Sequence, residues 1–168
     1  MELWERQNGL KKICLKNQTL TSTAYDVHYK IKSNNYYSGM FSFFSIPNSN
    51  TIVNGYFYSD LILFMDEQGN TIKGIEGPLG LKKLEKPDSQ NNGTLGYSQV
   101  TGNRKYVFAL FNGTNRSLGN IEGSSGNYIR IFANTGDYLK TLQLKDNLAC
   151  ICYDSDNSRI IAISNDRE

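Results

Sequence analysis

The pattern that most constrains this chain is a hairpin sequence that recurs. Tyr128 to Leu144, YIRIFANTGDYLKTLQL, reads as an apolar strand, a tight Asn134-Thr135-Gly136-Asp137 turn, and a strand with apolar residues at alternating positions. Asn134 and Gly136 suit the turn because both tolerate positive φ. Leu61 to Ile75, LILFMDEQGNTIKGI, repeats the unit around Glu67-Gln68-Gly69-Asn70. The two copies align without a gap: Phe64 with Ile131, Gly69 with Gly136, Ile72 with Leu139 and Ile75 with Leu142. A weaker third copy runs from Leu3 to Ile13 around Asn8-Gly9, so Met1 to Leu15 is expected to be a hairpin. No segment holds helical periodicity over three turns, so the chain is expected to be all-β.

Two further strands precede each hairpin. Phe41 to Ile46, Ile52 to Phe57, Leu61 to Asp66 and Thr71 to Ile75 make one four-stranded antiparallel unit. Leu95 to Thr101, Lys105 to Phe111, Tyr128 to Ala133 and Asp137 to Leu144 make another. Leu148 to Tyr153 and Arg159 to Ser164 supply only the first two strands of a third. Tyr106 to Phe111, YVFALF, is apolar on both faces, as a strand covered on both sides should be. Tyr25 to Lys32 alternates strictly, and Thr19 to Thr23 reads as a polar turn. Four-stranded units spaced by about sixty residues predict β-propeller-type blades, about three of them, in a single partial propeller domain over 1–168.

Composition narrows the function classes. With 39% hydrophobic and 20% charged residues, the chain is globular rather than disordered. A net charge of +2 with scattered Lys and Arg gives neither a nucleic-acid stripe nor a polybasic membrane patch. No apolar run spans a membrane, and MELWERQNGLKK has no signal-peptide core. Met1 falls almost inside a strand, which reads as a boundary within a longer protein. Cys14, Cys150 and Cys152 lack metal-ligand spacing and are expected to be buried free thiols.

Signals for chemistry are sparse. The one histidine, His28, lies on the polar face of its strand with Asp26 and Lys30, so it reads as a solvated surface residue. No catalytic residue, cofactor or metal site is assigned. Asp154-Ser155-Asp156-Asn157-Ser158 opens like a calcium loop, but Arg159 stands where that loop needs Gly and no distal Glu follows. Those residues are also ordinary turn formers. GNIEGSSG, from Gly119 to Gly126, lacks dinucleotide spacing and reads as a flexible loop. Asn17, Asn92, Asn112 and Asn115 begin Asn-x-Ser/Thr triplets, which matter only in a glycosylating pathway.

Loop lengths give the positive clue. In an up-and-down blade, the first-to-second and third-to-fourth connections share one end. Here that class is tight throughout: Pro47 to Asn50, Glu67 to Asn70, Gly102 to Arg104, Asn134 to Asp137 and Asp154 to Ser158. The other end carries both long connections, Glu76 to Thr94 and Asn112 to Gly126. Long loops within a compact domain are commonly functional. Lys82, Lys83, Glu85, Arg116 and Glu122 would project from that end and are the candidate binding residues.

Val53 to Pro78, VNGYFYSDLILFMDEQGNTIKGIEGP, resembles the Bacteroidota TolB-like six-bladed β-propeller family, as do YVFALFNG from Tyr106, IRIFANTGDYLKTLQL, and the closing pair within Ile151 to Ile163. The resemblance runs from about Phe41 to the C-terminus, and its motifs are structural. Family members are typically about twice as long and begin with a lipoprotein-type signal; this chain has neither. The resemblance implies the C-terminal half of a six-bladed ring in the cell envelope, periplasm or surface, binding or scaffolding a protein or glycan. It offers no catalytic motif. The alternative is a lactonase- or lyase-like hydrolase whose catalytic residues lie in another half. Two copies could close six blades as a homodimer if the C-terminal pair of one met the Met1–Leu15 hairpin of the other.

Overall fold

Strand-forming segments separated by Asx- and Gly-containing turns build antiparallel sheets throughout the structure, a computed structural model that describes residues 11–14, 19–22, 41–57, 59–77, 93–113, 115–116 and 126–164. Among the described residues every regular element is a strand. None of them forms a helix long and apolar enough to cross a membrane. The expected strand Tyr25 to Lys32, with His28, lies outside the described residues.

The chain begins with a small ladder in which β1 (Lys11–Cys14) pairs with β2 (Thr19–Ser22). The segment from Thr19 is therefore a strand and not a turn. Its two threonines are β-branched and favour extended backbone. The first large sheet is a meander of β3 (Phe41–Ser45), β4 (Ile52–Tyr56), β5 (Leu61–Met65) and β6 (Thr71–Glu76) in sequential order.

Five strands form the second sheet. β7 (Gly93–Thr94) and β10 (Asn115–Arg116) pair as a separate short ladder. The sheet itself runs β13-β12-β11-β9-β8, built from β8 (Tyr97–Gly102), β9 (Tyr106–Phe111), β11 (Gly126–Ala133), β12 (Tyr138–Asp154) and β13 (Arg159–Ser164). Here the architecture departs from the expected one. The fourth strand of the second unit and the first of the closing pair are one continuous strand of 17 residues. Neither Gly nor Pro interrupts Tyr138 to Asp154, so the backbone bends instead of breaking. Its first part pairs with β11 as far as Gln143 and, across a register shift, again at Leu148 opposite Gly126; its last part, from Leu148, pairs with β13. Register irregularities flank the handover, and the sheet curls into a half-barrel.

Period-two alternation then decides what each face of β9 and β11 touches. Val107, Ala109, Phe111 and Phe132 pack with Val53, Ile62 and Phe64 of the first sheet. Phe108, Leu110, Ile129 and Ile131 pack under the curl against Leu148 and Ile151. Both faces of β9 are thus covered, as its apolar sequence requires, with only Tyr106 exposed.

β8 lies between β3 and the last part of β12. Side-chain oxygens cross these two seams to backbone amides. Val100 N donates to Ser42 Oγ at 3.0 Å, Ile151 N to Gln99 Oε1 at 2.8 Å, and Tyr153 N to Thr101 Oγ1 at 3.1 Å. Each bond satisfies an amide that the strand ladder would leave unpaired.

Carboxylates and amides close the tight turns. Asp66 Oδ1 accepts from the amides of Gln68 and Asn70. Asn103 Oδ1 accepts from those of Lys105 and Tyr106. Gly69 and Gly136 take the positive φ these turns require, 86° and 83°. Asn134 does not; its side-chain Nδ2 donates to the carbonyl of Arg104 at 2.9 Å.

Thr101→Val keeps the strand shape and removes the acceptor for the Tyr153 amide. We expect a loss of about 1–3 kcal/mol, read as a lower urea midpoint with an unchanged slope, together with faster hydrogen exchange at Tyr153.

Candidate functional site

The end of the molecule that carries the long connections contains a buried ionic cluster. Asp60 sits directly before β5, at the close of the short link from β4, and its carboxylate is 1% exposed. Arg130 lies on β11, on the face shared by Ala109 and Phe132 that packs against the first sheet. Arg130 Nη1 donates to Asp60 Oδ1, and Nη2 donates to Oδ2 at 3.3 Å. Tyr97 at the start of β8 completes the group. Its hydroxyl accepts from Arg130 Nη1 at 2.7 Å and donates to Asp60 Oδ1 at 3.2 Å. The guanidinium carbon lies 3.6 Å from the centre of the Phe111 ring, a cation–π contact in a desolvated setting.

Close backbone approach holds the carboxylate in place. Gly77 N donates to the Asp60 carbonyl at 2.8 Å, and a Cβ at Gly77 would overlap the Asp60 carboxylate. Gly96 N donates to the Phe57 carbonyl at 2.6 Å, and a Cβ there would overlap the Ser59 carbonyl oxygen. Both positions therefore require glycine for space rather than for dihedral freedom. Beside the carboxylate, the buried Ser59 hydroxyl has no hydrogen-bond partner among the described residues.

Burial fixes the protonation states. It pushes the Tyr97 phenol well above its ordinary value, an effect the nearby Arg130 charge only partly opposes. Burial is the largest single influence on Arg130 and works against its charge, but the hydrogen bonds and charge interactions with Asp60 and Tyr97 together outweigh it and hold the guanidinium above its usual value.

Both long connections rise from this cluster. Asn112 N and Gly113 N donate to the carbonyls of Gly96 and Leu95, at 3.0 and 2.9 Å. The run continues outward as the β7–β10 ladder, in which Arg116 faces Gly93 and Asn115 faces Thr94. The two connections are therefore joined at their base. Of the five candidate binding residues, Arg116 is placed, on β10; Lys82, Lys83, Glu85 and Glu122 lie outside the described residues. So do residues 117–125 of the glycine-rich stretch. Asn112 is buried, which removes it as an accessible glycan acceptor.

At the opposite end, the residues that open like a calcium loop serve the turn itself. Asp154 Oδ1 accepts from the amides of Asp156 and Asn157; Oδ2 accepts from Asn157 Nδ2 at 2.8 Å and Arg159 Nε at 2.9 Å. The Asn157 side chain foremost, then Arg159, keeps this carboxyl below its ordinary range. The thiols also differ from expectation: Cys150 is half-buried and Cys152 exposed, because their face of β12 has no apolar cluster packed on it among the described residues.

The Asp60–Tyr97–Arg130 group was not anticipated from sequence, although a signal existed. In the gapless repeat, Arg130 takes the place of Leu63 and sits between two isoleucines, so a cation occupies a position that is apolar in the other copy. Neither a protein-family model nor a curated protein matches the chain.

A phenol raised in the folded state contributes stability that is fully present below the unfolded value, about pH 10, and is lost as pH rises above it. We therefore expect wild type to lose unfolding free energy more steeply than Tyr97→Phe above about pH 10. Urea titrations from neutral to alkaline pH would read this, and parallel curves would contradict it.

Proposed function

We propose that the chain is a non-enzymatic binding or scaffolding module whose working surface is the end from which the long connections emerge. In this reading its sheets are blades of a partial six-bladed, TolB-like β-propeller of the cell envelope, and its partner is a protein or a glycan. The observation that carries the proposal is the joining of the two long connections through β7 and β10, directly above a buried ionic cluster. Such a base holds the loop stems in fixed relation, and preorganised loops bind with less ordering cost. Arg116 stands on that ladder, and the sequence places Lys82, Lys83, Glu85 and Glu122 within the same two connections.

Asp60, the buried carboxylate at this end, is ion-paired with Arg130 and accepts from Tyr97. That arrangement secures a strand end; it does not present a free base to a substrate. A hydrolase reading gains no specific support from it.

Binding would be measured on a glycan array and on a panel of purified envelope proteins. Arg116→Ala combined with Glu122→Ala should reduce binding at least about tenfold, a difference of roughly 1.4 kcal/mol, with an unchanged melting temperature. Undiminished binding by the double variant would overturn the reading, as would a wild type that binds nothing in either set.

A further inference from the structure

The most telling surface outside the ionic cluster is β13. Three strands occupy the same place in the repeating pattern: β4 follows β3, β9 follows β8, and β13 follows the last part of β12, each after a tight turn. β4 has β5 on its far side and β9 has β11, and both are buried along most of their length. β13 has the same apolar character, RIIAIS, yet among the described residues its far edge has no strand beside it. Ile161 and Ile163 are 49% and 61% exposed, and they pair across β12 with Cys152 and Cys150 on one face. The corresponding faces of the other sheets are covered within the chain. No Lys or Pro protects Ile160 to Ser164, although edge strands commonly carry such residues.

We propose that a second copy of this chain completes β13, and that the adding segment is the stretch from Leu3 to Ile13. In the two large sheets, the strands added beyond β4 and β9 come from the recurring hairpin sequence. The stretch from Leu3 is the third occurrence of that sequence: Gly9 matches Gly69 and Gly136, and Trp4 matches Phe64 and Ile131. Its second half includes β1, which already holds β2 along one edge and belongs to a sheet separate from β13. Ile161 and Ile163 are left exposed within one copy; in this proposal the matching stretch of a second copy covers them. Two such contacts, each joining the hairpin of one copy to β13 of the other, close as a two-fold dimer.

Sedimentation velocity at micromolar concentration tests this directly. Wild type should sediment at about twice the 19.0 kDa of one chain. Trp4→Asp alone and Ile161→Lys/Ile163→Lys alone should each be monomeric. An equimolar mixture of the two variants should regain a dimer, because the intact hairpin of one meets the intact β13 of the other. A monomeric wild type overturns the proposal, and this reading stands even if a variant fails to fold. A dimer that survives both changes overturns it too. So does a mixture of folded variants that stays monomeric, and so does a folded Trp4→Asp variant that remains dimeric, the result expected if β13 paired with itself across the two-fold axis.

Discussion

The contact on which this structure most depends is the buried pair between Arg130 and Asp60. It joins β11 of the five-stranded sheet to the link that leads into β5 of the four-stranded one. Burying both charges carries a desolvation penalty of several kcal/mol per ion, so the pair needs good geometry and further partners to persist. It has them: two guanidinium–carboxylate bonds, the Tyr97 hydroxyl between them, and the Phe111 ring beneath. An apolar core alone would hold the sheets together but would leave them free to slide. A fork-shaped donor aimed at one carboxylate fixes where the end of one sheet lies on the other.

The two ends of the molecule are held by different means. At the tight-turn end, three turns are closed by their own residues: Asp66, Asn103 and Asp154 accept from amides within two to four positions, while Asn134 reaches across to Arg104. One ion pair reaches further, from Lys73 on β6 to Asp137 in the β11–β12 turn at 2.6 Å, but both partners are largely exposed and such pairs contribute little. At the other end the bonds are long-range and buried, drawing on β8, β11 and the 57–60 link. Rigidity is therefore concentrated under the long connections, which is where a binding surface benefits from it.

Much of the fold was legible in the sequence because hydrophobic alternation and turn chemistry are local. The strands from Phe41 to Glu76, the two-sided burial of β9 beyond Tyr106 and the Gly69 and Gly136 turns follow from residues that neighbour one another. Two local signals were misread, the strand from Thr19 and the φ of Asn134; the other failures are non-local. Whether Lys145 to Asn147 turns or runs on depends on the partners available to both halves of β12. Whether Cys152 is buried depends on what packs over its face. Arg130 could be recognised as out of place against Leu63, but its partner Asp60 lies 70 residues away and follows a Ser with no acidic motif to mark it. The binding candidates rested on loop length alone, and of these the structure places Arg116, beside Gly93.

The measurement that tests the account most directly is a double-mutant cycle on the ionic pair, Asp60→Asn, Arg130→Met and both together, read by urea unfolding and by amide exchange. The account predicts that either single change costs about 3–5 kcal/mol, that the double change costs much less than the sum, and that faster exchange centres on Gly77 and Gly96, whose amides hold the 57–60 link. Additive effects, with protection at Gly77 and Gly96 unchanged, would contradict it.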